Sequence, residues 1–257
     1  MKSFITSVLK SKIFKGAAAA VFWLAAWQLL YFGVGSDILI ASPLTVLKTL
    51  LDFIQKGEFW ASVGLSLVRI FAGFLVGTAA GVLIAVLCSK VKIADLLLSP
   101  VLRVIRATPV VSFIILAWVW LARGFIPVFI TFLMVMPIVW EGVYTGISQI
   151  PKGYLELAAV YKLGFGKRLF KIYIPSVLPF FRGAAVTALG LAWKSGIAAE
   201  VIVQPVFSIG SGLYDAKIYL ETGEMFAWTT VVIIFSVILE KALSRLLKKI
   251  KAGEKNG

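Results

Sequence analysis

Apolar positions in this chain fall in long uninterrupted runs separated by short basic stretches, not in the mixed alternation of a soluble core. Between Lys15 and Asp37 there are 21 uncharged residues. A helix crosses the hydrocarbon of a bilayer with about 20 mostly apolar residues, so this run predicts a first span at 16–34. Ile70–Ser89 supplies 20 uncharged residues, the centre of a second span at 62–89. The runs Ala107–Ala122 and Gly124–Trp140 are shorter and must extend into their flanks, giving spans at 100–122 and 124–147. A fifth span at 179–199 is interrupted by Lys194, and a sixth lies at 225–245. An even number of crossings places both termini on one side. The first run is too long and too far from the start of the chain for a typical cleaved signal segment, and it is expected to be retained.

The segments between the runs differ in kind. In 35–60, Ser42-Pro43 precedes Val46, Leu47, Leu50, Leu51 and Ile54, the spacing of an amphipathic helix lying on the outer surface. Residues 201–225, with Pro205, Gly210 and Gly212, predict an ordered hairpin-like loop. The segment 148–178 is basic and helix-forming. Pro151 suits a first turn, and Tyr154, Leu155, Ala158, Ala159 and Leu163 form a short apolar stripe. Gly164 stands where a C′ glycine would end that helix. A second short helix follows, with Leu169, Phe170, Ile172 and Tyr173 set against Lys167, Arg168 and Lys171, and Pro175 is expected to stop it before the fifth span. Two amphipathic helices around a glycine suit a docking element for a soluble partner.

Composition sharpens this picture. Of 257 residues 60% are hydrophobic and 15% charged, and the mean hydropathy is +0.98. That excludes a disordered chain and argues for lipid as the solvent. The net charge of +14 acquires a meaning from its distribution. With the N-terminus in the cytoplasm, the inside segments hold 20 of the 26 basic residues, as the positive-inside rule requires. These include Lys2, Lys10, Lys12, Lys15, Lys248, Lys249, Lys251 and Lys255, and no nucleic-acid partner needs to be invoked. The chain has no histidine and one cysteine, Cys88, which excludes a histidine triad, a histidine-ligated metal and an internal disulfide. No catalytic residue, metal or cofactor is expected, and the absence of G-x-x-x-x-G-K-[ST] leaves the chain without a P-loop.

Ionisable residues inside spans are costly and therefore informative. Arg69 and Glu200 are expected near the outer boundary, where they can pair and where they are candidate pathway residues, and Glu141 near the inner end of the fourth span. Lys194 lies deepest, about 9 Å below Glu200 at the helical rise. It is read either as a snorkelling or structurally paired lysine or as a pathway cation facing an anionic solute, with Trp193, Ser195 and Gly196 beside it suiting a lined cavity. Gly73, Gly77 and Gly81 form a small-residue stripe for close helix packing, within the chain or between two copies.

The 148–178 segment also carries a specific likeness. Glu156, Leu157, Ala158, Ile172, Ile174 and Pro175 match the spacing of the "EAA" motif, EAA-x3-G-x9-I-x-L-P, with Lys162 at its glycine position and Gly164 two residues beyond. Together with Trp193–Val203, Gly210–Gly223, Phe226–Trp228 and Ser66–Gly77, the chain resembles the permease subunits of binding-protein-dependent ABC importers of the nitrate/sulfonate/taurine group, over residues 40–245. The resemblance implies an all-α, MetI-like permease fold with a single transmembrane domain over 1–257. It implies a multi-pass protein of the inner or plasma membrane with cytoplasmic termini. Leu155, Glu156, Ala158, Ala159, Lys162, Gly164 and Pro175 would form the coupling element for partner ATPase subunits. An extracytoplasmic solute-binding protein and a second permease copy would complete the assembly in the lipid bilayer. Hydrolysis would belong to the ATPase. The solute would be nitrate, a sulfonate, taurine or similar. A vitamin precursor of thiamine or riboflavin type is the alternative, and a standalone secondary transporter is the reading from another class.

Overall fold

The computed structural model describes residues 12–253, with side chains from 16 to 247, and every regular element among them is helical. Lys2, Lys10 and Lys255 lie outside the described residues, as do the side chains of Lys12, Lys15, Lys248, Lys249 and Lys251. In chain order the helices are α1 Lys12–Val34, α2 Pro43–Gln55, α3 Gly57–Lys90, α4 Lys92–Ala107, α5 Val110–Trp120 and α6 Ile126–Ser148. They continue with α7 Lys152–Val160, α8 Phe165–Arg168, a π-helical turn Leu169–Tyr173, α9 Ile174–Val203, α10 Ile209–Ile218 and α11 Thr222–Gly253.

Five of these helices are long and apolar enough to cross a membrane, and α4 with α5 makes a sixth candidate if the pair counts as one. The expected continuous span at 100–122 is broken: α4 and α5 meet at 104°. The cause is local. Thr108 precedes Pro109 and is held extended at ψ 135°, because the proline ring clashes with a helical residue before it. The 11 residues of α5 cover roughly 16 Å at helical rise, short of the roughly 30 Å hydrocarbon core. Residues 209–218, expected as part of a loop, form α10.

The backbone divides into two units, one made of residues up to Trp60 with Gly212–Val231, the other of Ala61–Ser211 with Val232 onward. In the first, Ser42 caps α2 by accepting the Thr45 amide at 3.1 Å, with Pro43 at the first turn. Trp228 packs against Phe53 and Phe59, at ring separations of 4.9 and 5.4 Å. Leu47, Leu51 and Ile54 remain exposed on α2 while Val46 and Phe53 are buried, so this helix keeps an apolar face uncovered within the chain.

The second unit is organised around α6, the most enclosed of the long helices. The glycine stripe of α3 meets α6 within the chain. A Cβ on Gly77 would lie 2.8 Å from the Phe132 carbonyl oxygen, and one on Gly81 2.6 Å from that of Met136. Only hydrogen fits there, so backbones approach directly. Gly73, Gly77 and Gly81 meet α6 residues of rising number, so α3 and α6 run parallel. Parallel packing requires the chain to return between them to the end at which α6 starts, and the bent pair α4–α5 is the connection that does so. The helix α9 runs antiparallel to α6: Gly142 meets Ala184, Gly146 meets Val177 and Phe180, and Gly196 meets Thr131.

Candidate functional site

The segment expected to dock a partner is α7 with the turn after it. Pro151 is the N-cap of α7 and not its first turn, and the helix ends at Val160. The stop falls at Lys162, not at Gly164. Lys162 has φ 49°, its amide donates to the Ala159 carbonyl at 3.0 Å, and the Leu163 amide donates to the Ala158 carbonyl at 2.9 Å. That pair of bonds is the Schellman ending, with lysine in the left-handed C′ position usually held by glycine. Gly164, at φ −64° and ψ 161°, instead precedes α8 as its N-cap. The helix therefore breaks at the motif's own glycine position even though the residue there is lysine.

Pro175 does not stop the following helix. From Phe165 the chain is helical through to Val203, with the π turn just before the proline. Proline removes an amide and crowds the carbonyl one turn back, and a π turn spaces that carbonyl differently. A recess of about 420 Å³ between α7 and the start of α9 is lined by Tyr154, Lys171, Ile172, Pro175 and Ser176. Within the segment, Arg168 Nε donates to the Leu163 carbonyl at 2.8 Å. Lys90, at the end of α3, ties it to the rest of its unit with its Nζ 5.5 Å from the Phe165 ring centre.

The faces of α7 are divided differently from the stripe read in the sequence. Ala158 is buried against the chain's own structure, and Leu155 and Leu163 are half-buried. Glu156, Ala159, Lys162 and Gly164 are exposed, and Pro175 is half-buried. Tyr154, Leu157, Val160 and Tyr161 carry the exposed apolar surface, from 54% for Leu157 to 75% for Val160. At helical spacing these four follow one another along a single face. Leu157, Val160 and Tyr161 were absent from the sequence-based stripe.

The ionisable residues in the spans fall into three situations. Glu200 is fully buried and Arg69 partly so, with Arg69 Nη1 3.5 Å from Glu200 Oε1. Ser66 Oγ donates to Glu200 Oε2 at 2.6 Å, and the Gly210 amide donates to the same oxygen at 3.3 Å. Ser66, one turn before Arg69 on α3, was not singled out in the sequence. Glu141 is exposed and pairs with Arg106 at the α4–α5 break, a partner that sequence spacing did not suggest. Lys194 is exposed on α9 and makes no ion pair among the described residues. Trp193 does not line a cavity: it is buried, donating Nε1–H to the Val232 carbonyl at 3.0 Å and packing 6.1 Å from Phe235. Ser195 and Gly196 are packed likewise, Ser195 donating to the Ala192 carbonyl.

A helical chain with several long apolar crossings, closely packed through glycines and carrying a short amphipathic helix between two of them, has the architecture of a membrane transport permease. Residues 77–250 match the family described as "Binding-protein-dependent transport system inner membrane component", and the chain belongs to that family. Among curated relatives, a permease protein of Bacillus subtilis named for aliphatic sulfonates transport, SsuC, is 27% identical over 91% of this chain and 85% of its own length. In Synechocystis, the bicarbonate transport system permease protein CmpB is 27% identical over 78% of this chain and 72% of its own length. The nitrate import permease protein NrtB of the same organism is 26% identical over 84% and 81%. Among solved structures, an amino acid ABC transporter superposes with a TM-score of 0.61 at 18% identity, covering 81% of this chain and 97% of its own. An inward-facing MetNI methionine ABC transporter gives 0.58 at 18% identity, over 74% and 93%. The fold is thus that of an ABC transporter permease of the MetI type.

Proposed function

We propose that this permease forms, as a pair of identical copies, the path for a small anion driven by partner ATPase subunits and supplied by an extracytoplasmic binding protein. The relatives named for sulfonate, bicarbonate and nitrate transport support an oxyanion as solute. The termini and α7 face the cytoplasm, as the 20-to-6 division of basic residues supports. The loop after α9 then faces outward. Lys194 is the pathway cation, supported by its exposure on α9 between Arg182 and Glu200.

The observation that carries the coupling role is the exposed face of Tyr154, Leu157, Val160 and Tyr161 beside exposed Glu156 on α7. A large apolar face on a basic segment is a docking surface in waiting. It is held by a helix ended at both sides and joined to α9 without a flexible linker, so a push on it passes to the membrane layer as a rigid-body movement. The ATPase supplies the nucleotide site that this chain's sequence lacks.

Co-purification of the cognate ATPase tests this reading. Leu157→Asp is expected to release the ATPase while the permease still inserts and accumulates, and Glu156→Lys to weaken its hold. Full retention of the ATPase by both variants contradicts the docking role of α7.

A further inference from the structure

The outer end of α9 contains a polar cluster that neither docking nor a pathway cation explains. The loop Gln204–Ser208 is backbone-strained at two positions, Gln204 at φ 50° and Phe207 at φ 48°, neither a glycine. Something must hold it, and the holding groups come from α3 and α9. Arg69 donates Nη2 to the Val206 carbonyl at 2.9 Å and Nη1 to that of Phe207 at 3.0 Å. Ser66 Oγ accepts the Ile209 amide at 3.0 Å while donating to Glu200, and Glu200 accepts the Gly210 amide. Val206 and Phe207 themselves are exposed.

One atom in this cluster is out of balance. Glu200 Oε1 is buried without a hydrogen-bond partner, although Arg69 Nη1 is only 3.5 Å away. The guanidinium stands in ion-pair contact with Oε1 but aims its N–H groups at the loop carbonyls, so no hydrogen bond to that oxygen is made. An unsatisfied oxygen on a buried carboxylate is costly, and the group that would satisfy it is engaged elsewhere.

We infer that Arg69 is the positioning residue of an outer-gate latch: it holds loop 204–208 in one state and closes on Glu200 Oε1 when the loop is released. The orphaned oxygen gives the released guanidinium a destination, so the loop can lift without leaving a buried cation unpaired. The two arrangements use the same charges and differ in which acceptors Arg69 serves, which is what a bistable element requires. That the latch opens during the transport cycle rests on the proposed function above; the exchange itself does not.

The test is labelling of a thiol introduced by Ser208→Cys, in a Cys88→Ala background, with a membrane-impermeant maleimide on the assembled importer. Ser208 is 1% exposed while the loop is held. Arg69→Met removes the hold, and the labelling rate is expected to rise about tenfold, equivalent to about 1.4 kcal/mol in the latch equilibrium. Glu200→Gln keeps an oxygen for Ser66 and Gly210 but takes away the charge on which Arg69 would close, so labelling is expected to fall below the parent. Opposite directions are the signature of exchange, since a merely structural pair loosens the loop when either side is lost. If Arg69→Met does not accumulate, Arg69→Lys serves in its place, because one ammonium cannot reach both carbonyls, and labelling again rises. Labelling raised by both the Arg69 and Glu200 changes, or altered by neither, overturns the latch. Trapping the ATPase in its nucleotide-closed form is expected to raise labelling of the parent. An unchanged rate there contradicts the gate role while leaving the proposed function standing.

Discussion

The Leu163 amide reaches the Ala158 carbonyl at 2.9 Å, and it does so because Lys162 between them adopts φ 49°. The end of α7 is thereby fixed two residues before the nearest glycine, and the direction of the chain toward α8 is set by a lysine in a conformation that costs a side-chain-bearing residue roughly 1 kcal/mol.

Replacing that lysine should therefore stabilise the segment. Lys162→Gly is expected to stabilise the purified permease by about 0.5–1 kcal/mol through relief of the left-handed strain. A thermal melt in detergent reads it. A lower melting temperature contradicts the Schellman ending.

The contact between α3 and α6 is expected to tolerate no side chain. Gly81→Leu drives a side chain into the Met136 carbonyl, where overpacking costs about 1–3 kcal/mol or more. Gly64, on the same helix but with nothing within 4 Å of its Cβ position, serves as the control, and Gly64→Ala should hold or raise the melt, since alanine is favoured over glycine in a helix by about 0.5–1 kcal/mol.

The interior of α7 and its outer face should fail in different ways. Ala158→Trp must disturb the chain itself, because Ala158 is 1% exposed, and is expected to lower the yield of folded permease. Leu157→Asp leaves the fold intact and affects only the partner. Size-exclusion profiles of the isolated permease separate the two, and similar profiles for both variants would contradict the division of faces.

Lys194→Met is expected to lower uptake of an anionic solute about tenfold, equivalent to about 1.4 kcal/mol, with assembly unchanged. Unaltered uptake at normal expression makes Lys194 structural.

The spans were legible because each is a run of uncharged residues, and that pattern depends only on the local solvent. The fourth, fifth and sixth appear as α6, α9 and α11. What the pattern did not convey was the break at Thr108-Pro109, since hydropathy averages over a bend. The Arg69–Glu200 pairing was legible from depth alone, two opposite charges at the same end of two spans. Its complement of Ser66 and the Val206 and Phe207 carbonyls was not, because backbone acceptors carry no sequence signature. Helix periodicity drew the α7 stripe through Leu155 and Ala158, and the structure turned that side inward. Periodicity identifies an apolar face, but it does not say whether the chain or a partner covers it. Trp193 illustrates the same limit, with its indole spent on the Val232 carbonyl and not on a cavity.

On the proposed function, an anion crosses this permease only when ATP hydrolysis is delivered through α7. Uptake of radiolabelled sulfonate, nitrate and bicarbonate into proteoliposomes holding the permease, its ATPase and its binding protein tests this most directly. The expected result is that one of the three anions accumulates with ATP present, and that Leu157→Asp abolishes the uptake. ATP-independent uptake of any of them, or full uptake by the Leu157→Asp variant, would contradict it.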